Sequence, residues 1–171
     1  AYIEAEGYQK SSAYWLASRA YESYLEKKEF AEVRLRYGEA LEQLERFSEA
    51  YGNYQRIREK WPRSQEARRA KHRARKILEE YPEPIESMSR AAYLREEAEL
   101  CLREQAYTEA LEFYKELQSF RMSKGERERL LLNQIIAHAG RGDLQAAHEV
   151  LRSLIRDYPG SKEIPEGLML V

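Results

Sequence analysis

The amino-acid sequence predicts an all-α protein, built as a solenoid of antiparallel helix pairs. Apolar residues recur at steps of three and four through most of the 171 residues, which is the spacing of one face of an α-helix. No stretch alternates polar and apolar residues for long enough to predict a strand. Gly and Pro are sparse, with eight and five residues, and several of them stand at regular intervals where helices are expected to end.

The apolar spacing and the helix-ending residues together predict eight helices and the start of a ninth. In "LLLNQIIAHAG" the apolar residues keep helical steps, while "KWPRS", "EYPEP", "SKGE", "GRGD" and "DYPGS" hold the residues that end or begin helices. The predicted helices lie near residues 13–27, 30–45, 48–60, 65–80, 86–104, 107–120, 125–140 and 143–157. The ninth helix is expected to start near residue 164.

Three segments of the chain repeat one pattern. Residues 47–64 align with residues 144–161, and a further copy begins at Tyr107. In each copy an Ala is followed four residues later by Tyr or Leu. Twelve residues before this Ala, in the preceding helix, stands a residue that is small in two of the three copies. The sets are Gly38, Ala50 and Tyr54, then Ala98, Ala110 and Tyr114, then Ile135, Ala147 and Leu151. The small residues would let paired helices approach closely, and the Tyr or Leu would fill the gap against the next hairpin.

This order of small residue, Ala, large apolar residue and Pro resembles the tetratricopeptide repeat. The resemblance covers residues 31–64, 91–124 and 128–161, although Ile135 stands where a small residue is usual. It implies a right-handed superhelix of antiparallel hairpins, whose first helices line a concave face that binds a peptide or a partner helix. The Trp-Pro and Tyr-Pro helix endings followed by Ser are similar to repeats of bacterial cell-envelope proteins.

The chain is accordingly divided into six segments. They are an N-terminal irregular repeat (1–30), a repeat (31–64), an irregular basic helix with a connector (65–90), two repeats (91–124 and 128–161) and the start of a truncated further helix (162–171). The chain begins without Met and ends in "EGLMLV", an apolar stretch with nothing predicted to cover it. We therefore expect a segment of a longer repeat protein. Its compartment stays open between the cell envelope or periplasm and the cytoplasm of a bacterium.

Signals for chemistry are lacking in the sequence. Cys101 is the only cysteine and is predicted to be a core residue, and the three His do not stand at metal-ligand spacings. There is no nucleophile elbow, P-loop or dinucleotide fingerprint. No apolar run approaches the ~20 residues needed to cross a bilayer. We expect a chain that is not an enzyme and uses no cofactor and no metal.

A protein or peptide is the partner that the resemblance implies, bound in a groove along the first helices. The groove positions are spaced i, i+4, i+7 on each of these helices. They are Leu35, Glu39, Glu42, Arg95, Glu99, Leu102, Leu132, Ile136 and Ala139. The Lys/Asn/Arg clamp by which some members of the family hold a C-terminal carboxylate is not present. A structural spacer that self-associates through exposed repeat ends is the alternative function.

A basic helix is the strongest local charge feature. Residues 51–76 carry ten Lys/Arg and two Glu, whereas residues 77–120 carry eleven Glu and four Lys/Arg. In helix 65–80 the stripe Ala67, Ala70, Ala74 and Ile77 is predicted to face inward, and the basic patch Arg68, Arg69, Arg73 and Lys76 to face outward. The patch would pair with neighbouring Glu, hold an acidic protein, or bind RNA or anionic lipid. The net charge of −1 makes nucleic acid the weaker expectation.

The tripeptide Arg141-Gly142-Asp143 has two interpretations, a cell-adhesion signal or a turn. Its place matches the turns "LERFSEA" and "REQAYTEA" in the other repeats, which lack the tripeptide. Gly is suited to the end of a helix and Asp to the N-cap of the next one. The sequence therefore predicts a turn, with Asp143 capping helix 143–157.

Overall fold

A computed structural model of the chain describes residues 2–82 and 89–171, with side chains from residue 11 onward. This part of the chain is helical and contains no strand. Its helices are α1 Tyr2–Lys27, α2 Ala31–Gln43, α3 Phe47–Lys60, α4 Gln65–Glu80, α5 Arg90–Arg103, α6 Tyr107–Leu117, α7 Lys124–Gly140, α8 Leu144–Asp157 and α9 Ile164–Met169. The predicted all-α fold is confirmed. Helix α1 starts earlier than predicted, and the predicted start of the fifth helix at residue 86 lies outside the described residues.

The chain forms two compact units, Ala1–Ser87 and Met88–Val171. In unit 1, α2 and α3 pair as a hairpin, α1 packs on α2, and α4 packs on α3 and on α2. In unit 2, α5 pairs with α6, α7 pairs with α8, and α6 joins the two hairpins by packing on α7. Each unit therefore consists of antiparallel helix hairpins, as the repeat pattern predicts.

The hairpin α2–α3 shows why a residue without a side chain stands at position 38. The ring of Tyr54 lies directly over this glycine, so that a Cβ atom on Gly38 would come within 2.5 Å of Tyr54 Cε1. Ala50 and Tyr54 are fully buried between the helices. The ring packs against the first helix of its own hairpin, and Tyr54 also belongs to the core cluster that contains Ala67, Ala70, Ala74 and Ile77 of the following helix.

The other two hairpins vary this packing. Ala98, Ala110 and Tyr114 are buried together in one core cluster of unit 2. In the hairpin α7–α8 the first residue is the larger Ile135 and the tyrosine is replaced by the smaller Leu151, and both are buried beside Ala147. The larger residue at position 135 compensates for the smaller residue at position 151, so the space between the helices stays filled.

Three turns share a left-handed residue at the same repeat position. Glu45 has φ 58°, Gln105 has φ 62° and Gly142 has φ 85°. Residues other than Gly are disfavoured in this conformation, which the three hairpins nevertheless share. The following residues, Arg46, Ala106 and Asp143, are the N-caps of α3, α6 and α8. The three turns thus share one backbone geometry at the same position of the repeat alignment.

Asp143 is the N-cap of α8, as predicted. Its Oδ1 accepts a hydrogen bond of 3.1 Å from the backbone N–H of Ala146. That hydrogen bond, followed by the one from Arg141, lowers the pKa of the Asp143 carboxyl. The tripeptide thus serves the turn between α7 and α8. Arg46 and Ala106, at the equivalent positions, provide no side-chain cap.

The missing cap at α6 leads to a stability prediction. Ala106→Asp is expected to raise the free energy of unfolding by about 1 kcal/mol, because Ala106 already has backbone angles (φ −82°, ψ 61°) close to those of Asp143 (φ −90°, ψ 72°). Chemical denaturation measures the change, and Asp143→Ala, which should lower stability, is the matched control. An Ala106→Asp variant no more stable than the parent would contradict the shared cap geometry.

The C-terminal segment corrects one expectation. Ile164, Leu170 and Val171 pack against the core cluster formed by Ile135, Ala147 and Leu151 with Leu154. A Cβ atom on Gly167 would lie 2.9 Å from Leu151, so α9 approaches this core closely. The expectation that "EGLMLV" has nothing to pack on is wrong, although Leu168 and Met169 are exposed.

Candidate protein-binding groove

In unit 1, carboxylates of α2 meet guanidinium groups of α4. Glu39 accepts hydrogen-bonded ion pairs from Arg69 at 3.0 Å and from Arg73 at 3.2 Å. Glu42 lies 3.0 Å from Arg73. Two residues of the predicted basic patch are therefore paired within the chain, while Arg68 and Lys76 are exposed. The buried stripe of α4 is Ala67, Ala70, Ala74 and Ile77, as predicted.

Tyr54 of α3 is the third member of this network, joined to it through Glu42. Its hydroxyl donates a hydrogen bond to Glu42 Oε1, which also accepts from Arg73 at 3.2 Å. Burial, and after it the hydrogen bond to Glu42, raise the pKa of Tyr54. Burial alone would lower the pKa of Arg73, but Glu42, Tyr54 and Glu39 reverse the effect and raise it. The hydroxyl of Tyr54 is thus satisfied inside the chain.

A cavity of about 390 Å³ opens beside the network, between α1, α2 and α4. Tyr14, Ala17 and Tyr21 of α1 form one wall. The opposite wall carries charged and polar groups, among them Glu39 and Arg73. The cavity therefore offers aromatic surface on one side and ion-paired charges on the other. This combination suits a segment of polypeptide better than a small apolar ligand.

In unit 2 a second cavity, of about 170 Å³, lies between α5, α6 and α7. Arg95 on its rim pairs with Glu126 at 2.7 Å, and Arg129 pairs with Glu163 at 3.5 Å. The complete lining is Arg95, Glu99, Tyr114, Leu117, Met122, Glu126, Arg129, Leu130 and Asn133. Its interior is mostly apolar, and its rim carries both signs of charge.

The hydroxyl of Tyr114 differs from that of Tyr54 in having no acceptor. The side chain is 1% exposed, and no group in the described part of the chain forms a hydrogen bond of normal geometry with the hydroxyl. The repeat position of Glu42 is occupied here by Leu102, which explains the loss of the acceptor. Burial raises the pKa of Tyr114, Glu99 raises it further, and the nearby Asn133 amide acts in the opposite direction.

The predicted groove positions have three outcomes. Leu35 and Leu132 are fully buried, so they are core residues and their assignment to a binding surface was wrong. Leu102, Ile136 and Ala139 are half-buried. The charged positions Glu39, Arg95 and Glu99 line the two cavities, and Glu42 belongs to the network beside the first one.

Several lining residues are not predicted by the sequence pattern. The pattern predicts Tyr114 only as a packing residue, and it does not mark Asn133 or Arg129. A signal was present for Tyr114, because the repeat alignment replaces the charged Glu42 by Leu102. No comparable signal marks Asn133, whose position depends on how α7 rotates against α6.

Over residues 2–82 and 89–171, no group of three or more His, Cys, Asp or Glu is arranged to hold a metal ion. No helix within the same ranges has the length and apolar character required to cross a membrane. Cys101 is fully buried, in agreement with its predicted place in the core.

Recurring hairpins, shared turns and a common packing pattern define a helical repeat protein. Residues 32–64, the hairpin α2–α3, match the family model described as Tetratricopeptide repeat. The hairpin α2–α3 is thus a tetratricopeptide repeat, and the hairpins α5–α6 and α7–α8 share its spacing. Such repeats generally mediate protein–protein interactions and typically belong to non-enzymatic scaffolds. Comparisons with curated proteins and with solved structures returned no match.

Removal of the hydroxyl is expected to have opposite effects on stability at Tyr54 and at Tyr114. Tyr54→Phe is expected to lower the free energy of unfolding by about 1 kcal/mol, because it removes a buried hydrogen bond to a carboxylate. Tyr114→Phe is expected to leave stability unchanged or to raise it, because the hydroxyl is desolvated without an acceptor. Urea unfolding of the two variants measures the difference. Equal losses in both would show that the hydroxyl of Tyr114 has a partner after all.

Proposed function

We propose that this chain is a protein-interaction module that binds a peptide or a partner helix on its groove faces. A groove face is defined here by the charged residues beside each cavity: Glu39, Glu42, Arg69 and Arg73 in unit 1, and Arg95, Glu99, Glu126 and Arg129 in unit 2. No reaction is part of this function. Apolar cavity walls supply affinity, and the surrounding charges supply register and discrimination between partners.

The observation that supports the proposal is the position of Arg95 and Glu99. Both are groove positions that the resemblance to the tetratricopeptide repeat implies, and both line the cavity of unit 2. Their charges are opposite and lie one helical turn apart on α5. A partner segment crossing this face would meet a cation and an anion in a fixed order, beside an apolar recess. Such an arrangement selects a sequence rather than a net charge.

The test is selection from a displayed library of random linear peptides, followed by affinity measurement with the enriched peptides. The double variant Arg95→Glu/Glu99→Lys reverses the charge order and is expected to weaken binding at least tenfold. Arg152→Glu, an exposed residue of α8 that lines neither cavity, is the matched control and should bind as the parent does. Enriched peptides whose binding ignores the double variant would contradict a site on this face.

The basic helix remains a separate prediction. Arg69 and Arg73 are already paired with α2, and Arg68 and Lys76 are the other two cations of the proposed patch, both exposed. Fewer unpaired cations mean fewer counterions released on binding a polyanion. This pairing favours the interpretation of the helix as a charged groove wall over a site for RNA or anionic lipid.

Self-association is a second candidate function, favoured by exposed apolar residues on α1. Trp15 is 54% exposed and Leu16 is 63% exposed, and with Leu44 they surround a shallow cavity. Large apolar side chains at one helix surface are suited to another helix. Light scattering at increasing concentration tests this candidate, and Trp15→Ser/Leu16→Ser should return any dimer to a monomer.

A further inference from the structure

We propose that the cavity between α5, α6 and α7 is a specificity pocket that accepts one carboxamide side chain, Gln or Asn, of a bound peptide. The inference rests on the proposed function and names the residue type that unit 2 selects. Three features carry it: a buried hydroxyl without an acceptor, a cavity of the right size above it, and the charges around that cavity.

The hydroxyl of Tyr114 needs a hydrogen-bond acceptor. It is buried, the side chain that carries it lines the cavity, and no described residue forms a hydrogen bond of normal geometry with it. Its counterpart in unit 1, Tyr54, donates to the carboxylate of Glu42. Leu102 occupies the matching position in unit 2 and offers no acceptor. A ligand carbonyl would take the role that Glu42 has in unit 1.

The cavity has room for such a group. Its volume is about 170 Å³, whereas one water molecule takes about 30 Å³ of liquid volume. Several waters, or one side chain of moderate length, fill this space. Leu117, Met122 and Leu130 line it with aliphatic surface, which suits the methylene stem of Gln or the shorter stem of Asn. A polar tip on an apolar stem therefore fits both parts of the lining.

The charges favour a neutral acceptor over a carboxylate. Glu99 lies on the cavity wall and affects Tyr114 more strongly than Arg129 does. The two arginines of the rim are each committed to a glutamate, Arg95 to Glu126 and Arg129 to Glu163. A ligand carboxylate at the hydroxyl would meet the field of Glu99 without a free cation of the lining to balance it.

A carboxamide pairs with polar groups of both kinds in the pocket, a donor and an acceptor. Its carbonyl accepts from the hydroxyl of Tyr114, and its NH₂ donates to the carboxylate of Glu99 or to the side-chain carbonyl of Asn133. Neither an aliphatic side chain nor a carboxylate satisfies both a donor and an acceptor in this way. Discrimination arises because a wrong side chain leaves a buried polar group unpaired.

The first experiment uses small probes and needs no partner protein. The ¹⁵N-labelled chain is titrated with propionamide and, separately, with propionate, while NMR follows the side-chain amide of Asn133 and the backbone amides around Tyr114. Propionamide is expected to shift these signals in a saturable way, with at least tenfold stronger binding than propionate. Equal or stronger binding of propionate would overturn the inference.

Two variants sharpen this titration. Tyr114→Phe removes the donor without opening a cavity, and is expected to weaken propionamide binding roughly three- to tenfold, the effect of one hydrogen bond. Leu102→Glu restores the acceptor found in unit 1 and is expected to abolish binding while Tyr114 stays in place. Unchanged binding by Tyr114→Phe would overturn the inference, and Arg152→Glu serves as the control for general surface effects.

The second experiment separates the pocket from the proposed function. Peptides selected by the parent chain are expected to carry Gln or Asn at one fixed position, and those selected by Tyr114→Phe to lose this preference. Selected peptides without an amide preference would overturn the pocket and leave the proposed function intact. A chain that binds propionamide but selects no peptide would overturn the proposed function and, with it, a peptide as the source of the amide.

Discussion

Gly38→Ala is expected to lower the free energy of unfolding by about 1–2 kcal/mol. The added Cβ would stand 2.5 Å from Tyr54 Cε1 and 2.9 Å from Tyr54 Cζ, distances that force the ring or the helix to move. The ring has little freedom, because Tyr54 is fully buried and its hydroxyl is bonded to Glu42. Overpacking of this kind typically costs 1–3 kcal/mol, from which the better helix propensity of Ala subtracts up to about 1.

The control for this variant lies in the same hairpin. Gly52 is a helical glycine of α3 with nothing within 4 Å of its missing Cβ, so Gly52→Ala should gain stability through propensity alone. Urea unfolding with both variants gives opposite signs if the contact between Gly38 and Tyr54 is as described. A stabilising effect of both substitutions would show that the ring does not lie against α2.

A second substitution should rescue the first. The hairpin α7–α8 combines a larger residue, Ile135, with a smaller partner, Leu151. Gly38→Ala/Tyr54→Leu imitates this combination, and is expected to be more stable than the sum of its single variants predicts, because the two sites share one space. Strict additivity in the double-mutant cycle would argue against that shared space.

Ala110→Leu is the other substitution with a large expected effect. Ala110 is fully buried in the hairpin α5–α6, beside Ala98 and Tyr114. A leucine adds three methyl or methylene groups where the helices are in contact, and we expect a loss of about 1–3 kcal/mol through overpacking. Thermal and urea unfolding measure the loss, and the α-helix content of the folded variant should stay unchanged.

Lys115→Leu is the matched control for this overpacking. Lys115 lies on α6 as well, but its side chain is exposed, so that leucine there has room and a comparable helix propensity. The control should unfold within about 0.5 kcal/mol of the parent. If Ala110→Leu unfolds with the control rather than below it, the alignment of Ala98 with Ala110 across the hairpin is incorrect.

The fold was predictable because its determinants are local and repeated. Helical spacing, Ser and Pro at the ends and the recurring Ala are all visible in the sequence. Each predicted helix from 30 onward lies within a few residues of an observed one where the chain is described. The C-terminal residues 164–171 were misjudged, because their cover is provided by Ile135 and Leu151, which lie far away in sequence.

The groove was only partly predictable, because exposure on a helix depends on what packs against it. The spacing rule placed Arg95 and Glu99 at a cavity but also selected Leu35, which the neighbouring helices bury completely. The pairing of Arg73 with Glu42 connects two helices, and no spacing rule within one helix shows it. The pocket beside Tyr114 could be recognised only in the structure. Its defining property is that the buried hydroxyl has no hydrogen-bond acceptor among the described residues, and the sequence does not show which groups surround it.

The shared left-handed turn residue has a consequence for changes in chain length. Glu45, Gln105 and Gly142 hold one backbone conformation with three different side chains, so the composition of these turns is free to vary. Their length is not free. One residue inserted between Gly142 and Asp143 would separate the left-handed residue from the N-cap that directly follows it in all three turns. The backbone path that joins the two helices of a hairpin would then change, so insertions should be tolerated better between hairpins than inside them.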